Sequence, residues 1–168
     1  MSDIHFIFTG GTIDSSYDTS KQKCVPNKES LIPSYLKQVI KSHPSISHET
    51  VFMLDSGEID DKKRTKILQA VKKSSASRII VSHGTDTMVK TLEYLTKFFP
   101  GTKKTIVLVG AMIPLKEFAQ SDAGFNLGYA ISEVQRLEPG IYICMNAHTF
   151  KAGEVVKNYE KARFEKKA

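Results

Sequence analysis

The residues of this chain whose types and spacing suit chemistry are threonines at strand ends, a lysine and a few carboxylates. Thr9-Gly10-Gly11-Thr12-Ile13 and His83-Gly84-Thr85-Asp86-Thr87 each follow a short apolar, β-branched stretch, Ile4 to Phe8 and Arg78 to Ser82. Each reads as a strand that ends in a tight, hydroxyl-bearing turn, where glycine permits a sharp bend and close approach of backbone to a ligand. In an open parallel sheet ligands bind just past the carboxyl ends of the strands, so neighbouring strands would set Thr12 and Thr85 across one cleft. A threonine hydroxyl is a weak nucleophile until a base takes its proton. Lys157 is available as that base and Asp86 as the carboxylate that orients it, which follows the nucleophile–base–acid logic of triads. Spacing alone does not bring Lys157 to Thr85. Each group also has a plain structural role open to it: Thr9 and Thr12 as turn hydroxyls, Asp86 as a helix N-cap, Lys157 as a solvated surface lysine.

The elements that must position these groups alternate along the chain. Ile4 to Phe8 reads as a central parallel strand. Asp14 to Lys28, rich in Ser, Lys and Asp, reads as a long mobile loop or hairpin, the kind of segment that often serves as a lid. Leu31, Ile32, Tyr35, Leu36, Val39 and Ile40 fall at helical spacing and predict a helix over 29–41 with one buried stripe. A short strand is expected at 50–54, a turn at Asp55-Ser56-Gly57-Glu58, and a helix over 60–73 with Asp60 and Asp61 at its start. Strands at 78–82, 105–109 and 140–145 alternate with helices at 86–98 and 123–137, and a loop with Pro114 spans 111–122. The charged tail after Lys157 is expected to be helical from Glu160. Strand–helix alternation of this kind predicts a three-layer α/β/α domain with a mostly parallel sheet, Rossmann- or flavodoxin-like, covered on both faces. One domain over 1–168 is expected, with 158–168 as its tail.

Composition narrows the classes of function. With 40% hydrophobic and 25% charged residues over 168 positions, the chain can bury a core of its own. No apolar run approaches the roughly 18 residues of a membrane span, and Met1 to Phe8 lacks the basic, extended start of a signal peptide, so the expectation is a cytoplasmic protein without membrane partners. The net charge of +6 is scattered over Lys62-Lys63-Arg64, Lys72-Lys73, Lys103-Lys104 and Lys166-Lys167, without the aromatic-interleaved stripe of a nucleic-acid surface. Cys24 and Cys144 form no metal-spaced pair and read as free or buried thiols. No metal or cofactor is called for.

TGGTI and HGTDT, in this order, resemble the paired signatures of the bacterial-type L-asparaginases and glutaminase-asparaginases. A third stretch, Val109-Gly110-Ala111-Met112 with Ser121-Asp122 and Phe125-Asn126-Leu127, is similar to the GAM…SD…FNL run of the same family, and the resemblance extends to about Lys157. It implies an amidohydrolase that acts on a small amide such as L-asparagine through a threonine nucleophile. By position, Thr12 corresponds to the primary nucleophile, Thr85 and Asp86 to the second catalytic threonine and its neighbour, and Lys157 to the catalytic lysine. Ser56 corresponds to the serine that holds the substrate α-carboxylate, with Asp86 on the α-ammonium and Asp55, Gly11 and Gly84 in the binding turns. The chain departs from the family pattern at Gly57 and Glu58. It also departs at the lid, where Cys24 stands near the position of a catalytic tyrosine and Tyr17 is the candidate to replace it. His83 is read as held in its turn, with no proton transfer assigned. The resemblance covers no second domain, so a homodimer or higher even oligomer is expected to cover the open face. Two other readings remain: a catalytically weak module that binds an amino acid, and a dinucleotide-binding protein, which the absence of a full G-x-G-x-x-G speaks against.

Overall fold

A computed structural model describes residues 3–116 and 119–167. The expected loop 111–122 is thus described except at 117 and 118, and the last tail residue, 168, lies outside the described residues. In chain order the elements are β1 (Ile4–Gly10), β2 (Ser15–Asp18), β3 (Lys23–Pro26), a helix α1 that begins as α (Ile32–Ser34) and continues as π (Tyr35–Ile40), and β4 (Ile46–Leu54). There follow α2 (Asp61–Lys73), β5 (Arg78–Ser82), α3 (Met88–Phe98), β6 (Thr105–Val109), α4 (Ala123–Val134), β7 (Gly140–Met145), β8 (His148–Lys151), β9 (Val155–Asn158) and β10 (Arg163–Lys166).

Six strands form the main sheet in the order β4-β1-β5-β6-β7-β8. The first five run parallel and β8 closes the edge antiparallel to β7. This is the 2-1-3-4-5 order of open α/β sheets, in which the switch point falls between the first and third strands in sequence, here β1 and β5. Successive strand residues point to opposite faces, yet Ile79, Ile80 and Val81 are all fully buried, as are Ile106, Val107, Leu108 and Val109. Both faces of the sheet centre are therefore covered. That is why these strands read as unbroken apolar runs, each large side chain so buried being worth about 1.5–3 kcal/mol. The helices supply matching stripes: Ile67, Leu68 and Val71 from α2, Met88, Leu92 and Leu95 from α3, Leu127, Ala130 and Val134 from α4.

Several elements differ from the sequence-based expectation. The helix expected over 29–41 widens into a π-helix at Tyr35–Ile40 and ends at Lys41 in the left-handed region. The wider turn breaks the 3.6 period, so Leu36 stays inside while Val39 and Ile40, expected in the stripe, face solvent. The strand expected at 50–54 starts at Ile46, because its polar residues Ser47 and Glu49 find His5 on the neighbouring β1. The 14–28 segment, by contrast, takes the hairpin form, one of its two expected readings, β2 against β3, with Tyr17 opposite Cys24. Helix α3 starts at Met88, not 86, and Asp86 makes no N-cap; it is bound to a lysine instead. The tail is a strand, not a helix: Phe164 alternates with charged neighbours, its side chain goes into the core beside Phe150, and β10 pairs with β9. Burial of that one aromatic ring outweighs the helical tendency of Glu and Lys.

Candidate active site

The turns that follow β1 and β5 meet at the switch point in backbone contact. Gly11 has φ 82°, and a Cβ placed on it would lie 2.3 Å from the Gly84 nitrogen. A Cβ on Gly84 would lie 2.5 Å from Cβ of Ser56. Three turns, after β1, β4 and β5, are thus packed so closely that no side chain fits between them. The Gly11 N–H donates to the Leu54 carbonyl at 2.9 Å, and the Thr87 hydroxyl donates to the Ser56 carbonyl at 2.7 Å. Glycine is required here by contact, as the short motifs suggested.

On this platform the two threonines of the first motif part ways. Thr9 is fully buried and its hydroxyl donates to the Ser82 carbonyl at 2.6 Å, which fastens β1 to β5. Thr12 opens a single 3-10 turn, Thr12–Asp14, and is half-buried. No hydrogen bond occupies its hydroxyl among the described residues, and the one buried side-chain polar atom without a partner there is Nδ2 of Asn27, so the Thr12 hydroxyl is open to solvent. The Ser56 hydroxyl is also unpartnered among the described residues, although Ser56 as a whole is buried. Asp55 is committed to its own turn, accepting from the Gly57 N–H at 2.8 Å.

Lys157 reaches the second motif from β9. Its ammonium donates to the Thr85 hydroxyl oxygen at 2.8 Å and to Oδ1 of Asp86. The lysine side chain is 12% exposed and the aspartate 58%, so the carboxylate presents its second oxygen outward. The Tyr159 ring lies 4.7 Å from the Lys157 nitrogen, in the range of a cation–π contact. Tyr159 was not singled out in the sequence; it stands in the turn after β9, and only the folded hairpin brings its ring over the Lys157 nitrogen. Tyr17 sits on β2, about half exposed, and shares its cross-strand pair with Cys24.

His83 takes no part in this opening. It is fully buried, and its Nδ1 lies 2.8 Å from the Gly84 carbonyl, which only accepts, so the ring is protonated there. Nε2 then accepts from the Thr91 hydroxyl at 2.9 Å, which itself receives the Arg64 Nε–H at 3.2 Å. Burial pushes the imidazole down to about 4, against the opposing pull of the Gly84 carbonyl. Asp14, fully buried two residues after Thr12, moves the other way. Burial raises its carboxyl to about 6, although Ser30 Oγ donates to it at 2.7 Å and the Leu31 N–H at 2.9 Å. Cys144 is a free buried thiol pushed up to about 12 by burial. Among the described residues no group of three or more His, Cys, Asp or Glu is arranged to hold a metal ion, and no helix is long and apolar enough to cross a membrane.

The third motif does not enter the opening; it builds around it. Asp122 accepts the N–H groups of Met112 and Ile113, and Asn126 donates to Asp122 at 2.9 Å and to the Gly110 carbonyl at 3.2 Å. A half-buried Asp and a buried Asn thus fold the chain after β6 back onto α4, the structural use of the SD and FNL residues.

Residues 3–164 match the family model described as Asparaginase, N-terminal. Among similar proteins is the "Probable L-asparaginase periplasmic" of Haemophilus influenzae, 27% identical over 164 residues, which cover 94% of this chain and 46% of that one. The glutaminase-asparaginase of Acinetobacter glutaminasificans is 28% identical over 166 residues, 93% of this chain and 50% of that protein. The solved thermostable L-asparaginase from Thermococcus kodakarensis superposes with a TM-score of 0.83 at 26% identity, covering 97% of this chain and 50% of that one. The chain spans about half the length of the curated relatives it matches.

Proposed function

The chain belongs to the asparaginase family, and on that premise we propose that it carries the amide-hydrolysing site of an amidohydrolase acting on the side-chain amide of a small amino acid, L-asparagine first. The observation that carries this reading is the contact of Lys157 with Thr85 at 2.8 Å across 72 positions of sequence, with Asp86 on the same nitrogen. A surface lysine without a task has little reason to give up its solvation for a threonine hydroxyl.

In the proposed reaction the α-carboxylate of the substrate takes the Ser56 hydroxyl, and the α-ammonium takes the outward oxygen of Asp86. Thr12 Oγ attacks the amide carbon. N–H groups of these turns other than those of Gly11 and Gly57, which Leu54 and Asp55 hold, receive the oxyanion, each such donor typically worth a few kcal/mol in the transition state. The C–N bond breaks, the nitrogen takes up the proton that the Thr12 hydroxyl gave up and leaves as ammonia, and an ester to Thr12 remains. Water then attacks the ester, aspartate departs and the Thr12 hydroxyl is restored. With Lys157 neutral, the Thr85 hydroxyl can pass its proton to that nitrogen, which makes Thr85 the base toward water or toward Thr12. Tyr17, on the hairpin that follows Thr12, is the tyrosine placed to close over the site in the absence of one at Cys24. The proposal includes pairing of identical chains over the open strand ends, which measurement of mass in solution tests.

Ammonia release from L-asparagine and L-glutamine by the wild-type and Thr12→Ala proteins tests the reaction. Release by the wild type and none by a folded variant is expected. Binding of L-aspartate without any release by the wild type would favour the reading as an amino-acid-binding module instead.

A further inference from the structure

Lys157 stands on a hairpin that is not part of the main sheet. β9 pairs only with β10, so the lysine's position over Thr85 depends on how that hairpin is fastened to the body. Three kinds of contact do it. The Phe164 side chain is buried against Phe150, and Val155 is buried beside it. Lys157 itself bonds Thr85 and Asp86. The third is a single backbone bond: the Phe164 N–H donates to Oδ1 of Asn146 at 3.0 Å. Among the described residues this is the one long-range hydrogen bond between the hairpin and the body apart from those of the lysine. Phe164 is the residue paired with Lys157 across the hairpin.

Asn146 is itself fixed with care. It has φ 54°, in the two-residue turn between β7 and β8 where Ala147 also has positive φ, a conformation that asparagine tolerates better than most residues. Its N–H donates to Oδ1 of Asn126 at 3.0 Å. Asn126 is fully buried and spends its amide nitrogen on Gly110 and Asp122. The bonds therefore run from the end of β6 through Asn126 and Asn146 to the strand that faces the lysine. Apolar packing by Phe164 supplies stability but little direction, whereas a hydrogen bond fixes register to a few tenths of an ångström.

We propose that Asn146 is a positioning residue for the reaction: it sets the register of the β9–β10 hairpin, and thereby holds the Lys157 nitrogen on Thr85. The inference rests on the reading of Lys157 as the base. Asn146 itself touches neither Thr85 nor the opening, so its effect passes wholly through the hairpin.

The test compares wild type with Asn146→Gly, Asn146→Asp and Lys157→Met, and with Asn146→Gly combined with Lys157→Met. Glycine keeps the positive φ and removes the acceptor; aspartate keeps both. Two readouts are taken. Acetic anhydride labelling mapped by mass spectrometry reports how freely Lys157 is exposed, whatever the turnover. Steady-state ammonia release gives kcat and KM separately. The expected result for Asn146→Gly is labelling of Lys157 raised several-fold and kcat lowered by about 10-fold or more, as misplacement of a reacting group by about an ångström predicts, with KM within about 2-fold. Asn146→Asp should behave as wild type in both. The double variant should be no slower than Lys157→Met alone, because the two changes remove the same action. Unchanged labelling in Asn146→Gly overturns the proposal, and so does raised labelling with kcat unchanged. If the wild type releases no ammonia, the amidohydrolase reading falls by that result. The labelling comparison still decides whether Asn146 places the lysine.

Discussion

The β2–β3 and β9–β10 hairpins are both built of four-residue strands, both lie outside the main sheet, and both carry a residue proposed to act at the same opening. They are held in opposite ways. β9–β10 is clamped along its length: Phe164 is sunk into the core, its N–H is taken by Asn146, and Lys157 is bonded to Thr85 and Asp86. β2–β3 is anchored at its neck, where Ser15 Oγ donates to the Gly11 carbonyl at 2.9 Å, the Asn27 N–H donates to the Asp14 carbonyl at 2.8 Å, and the Asp14 carboxylate receives Ser30 and Leu31. Beyond the neck, Tyr17 and the stretch 19–23 are exposed. A base must stand at a fixed distance from the proton it takes, whereas a cover must open to admit substrate. One hairpin has the construction of a fixture and the other that of a hinged flap.

The largest effect that follows concerns the floor between the hairpins. Thr12→Ala should lower ammonia release by several orders of magnitude, and Lys157→Met by at least about 100-fold, while thermal unfolding of Thr12→Ala stays within a degree or two of wild type because its hydroxyl holds nothing. A folded Thr12→Ala protein with wild-type turnover would remove Thr12 from the reaction. The next effect separates the hairpins by stability. Phe164→Ala should cost about 3–5 kcal/mol, as deletion of a buried ring does, and Lys23→Ala in the other hairpin should lie within about 0.5 kcal/mol, as exposed positions do. Urea midpoints measure both; equal losses would mean that the two hairpins are anchored alike.

How much of this was legible in the sequence follows the same division. The floor was readable: two short glycine–threonine runs after apolar strands are local signals, and they lie where the sheet order puts its crevice. Ser56 was reached through the family resemblance, since a serine in a polar turn after β4 is by local signals an ordinary turn residue. The clamp was not. Whether Arg163-Phe164-Glu165-Lys166 becomes helix or strand depends on a pocket beside Phe150 that long-range packing creates, and local propensity favoured helix. Asn126 and Asn146 stood within or beside recognised stretches, but their bonds to each other and to Phe164 join parts of the chain that only the fold brings together. The π-helical widening at Tyr35 escaped because it alters the very period from which a helix is read. Asp14 carries no motif, and its burial is a property of the folded neck.

That neck makes the third prediction. The flap's neck is fastened in part by a buried carboxylate whose titration burial moves toward neutral pH. Burial raises Asp14 to about 6 from its ordinary 3.8, so between those values the folded chain binds the proton more tightly than the unfolded one. Stability from this group therefore falls as pH rises from about 4 to about 6, and the cost, about 3 kcal/mol, is fully present above that. His83, lowered from its ordinary 6.5 to about 4, acts with the opposite sign over nearly the same range, since the unfolded chain takes up its proton first and stability is lost as pH falls. The two oppose each other in the wild type. Asp14→Asn, which keeps an acceptor for the Leu31 N–H and turns an amide N–H toward the Ser30 hydroxyl that had donated to the carboxylate, leaves the histidine slope unopposed by this group. Urea midpoints at pH 4.5 and 7 should show the variant losing more stability on acidification than wild type; parallel changes would refute the assignment.

The smallest effect is the most direct comparison of flap and clamp. Trypsin can cut at Lys21 and Lys23 in the flap and at Lys161 and Arg163 in the clamp, and all four side chains are exposed. Cleavage by a protease requires local opening, so its rate reads the free energy of that opening when reclosure is fast. The flap should therefore be cut first. A ligand that binds only the closed form slows cutting in proportion to its saturation, so L-aspartate at several times its dissociation constant should slow cleavage at Lys21 and Lys23 a few-fold. Cleavage at Lys161 and Arg163 should change little, because the clamp is already closed without ligand. Peptide mapping over time gives the four rates from one digest. Equal slowing at all four sites would mean that ligand merely stabilises the whole chain. No slowing at the flap would mean that the β2–β3 hairpin does not cover the bound ligand, and that Tyr17 has no part in closing over Thr12.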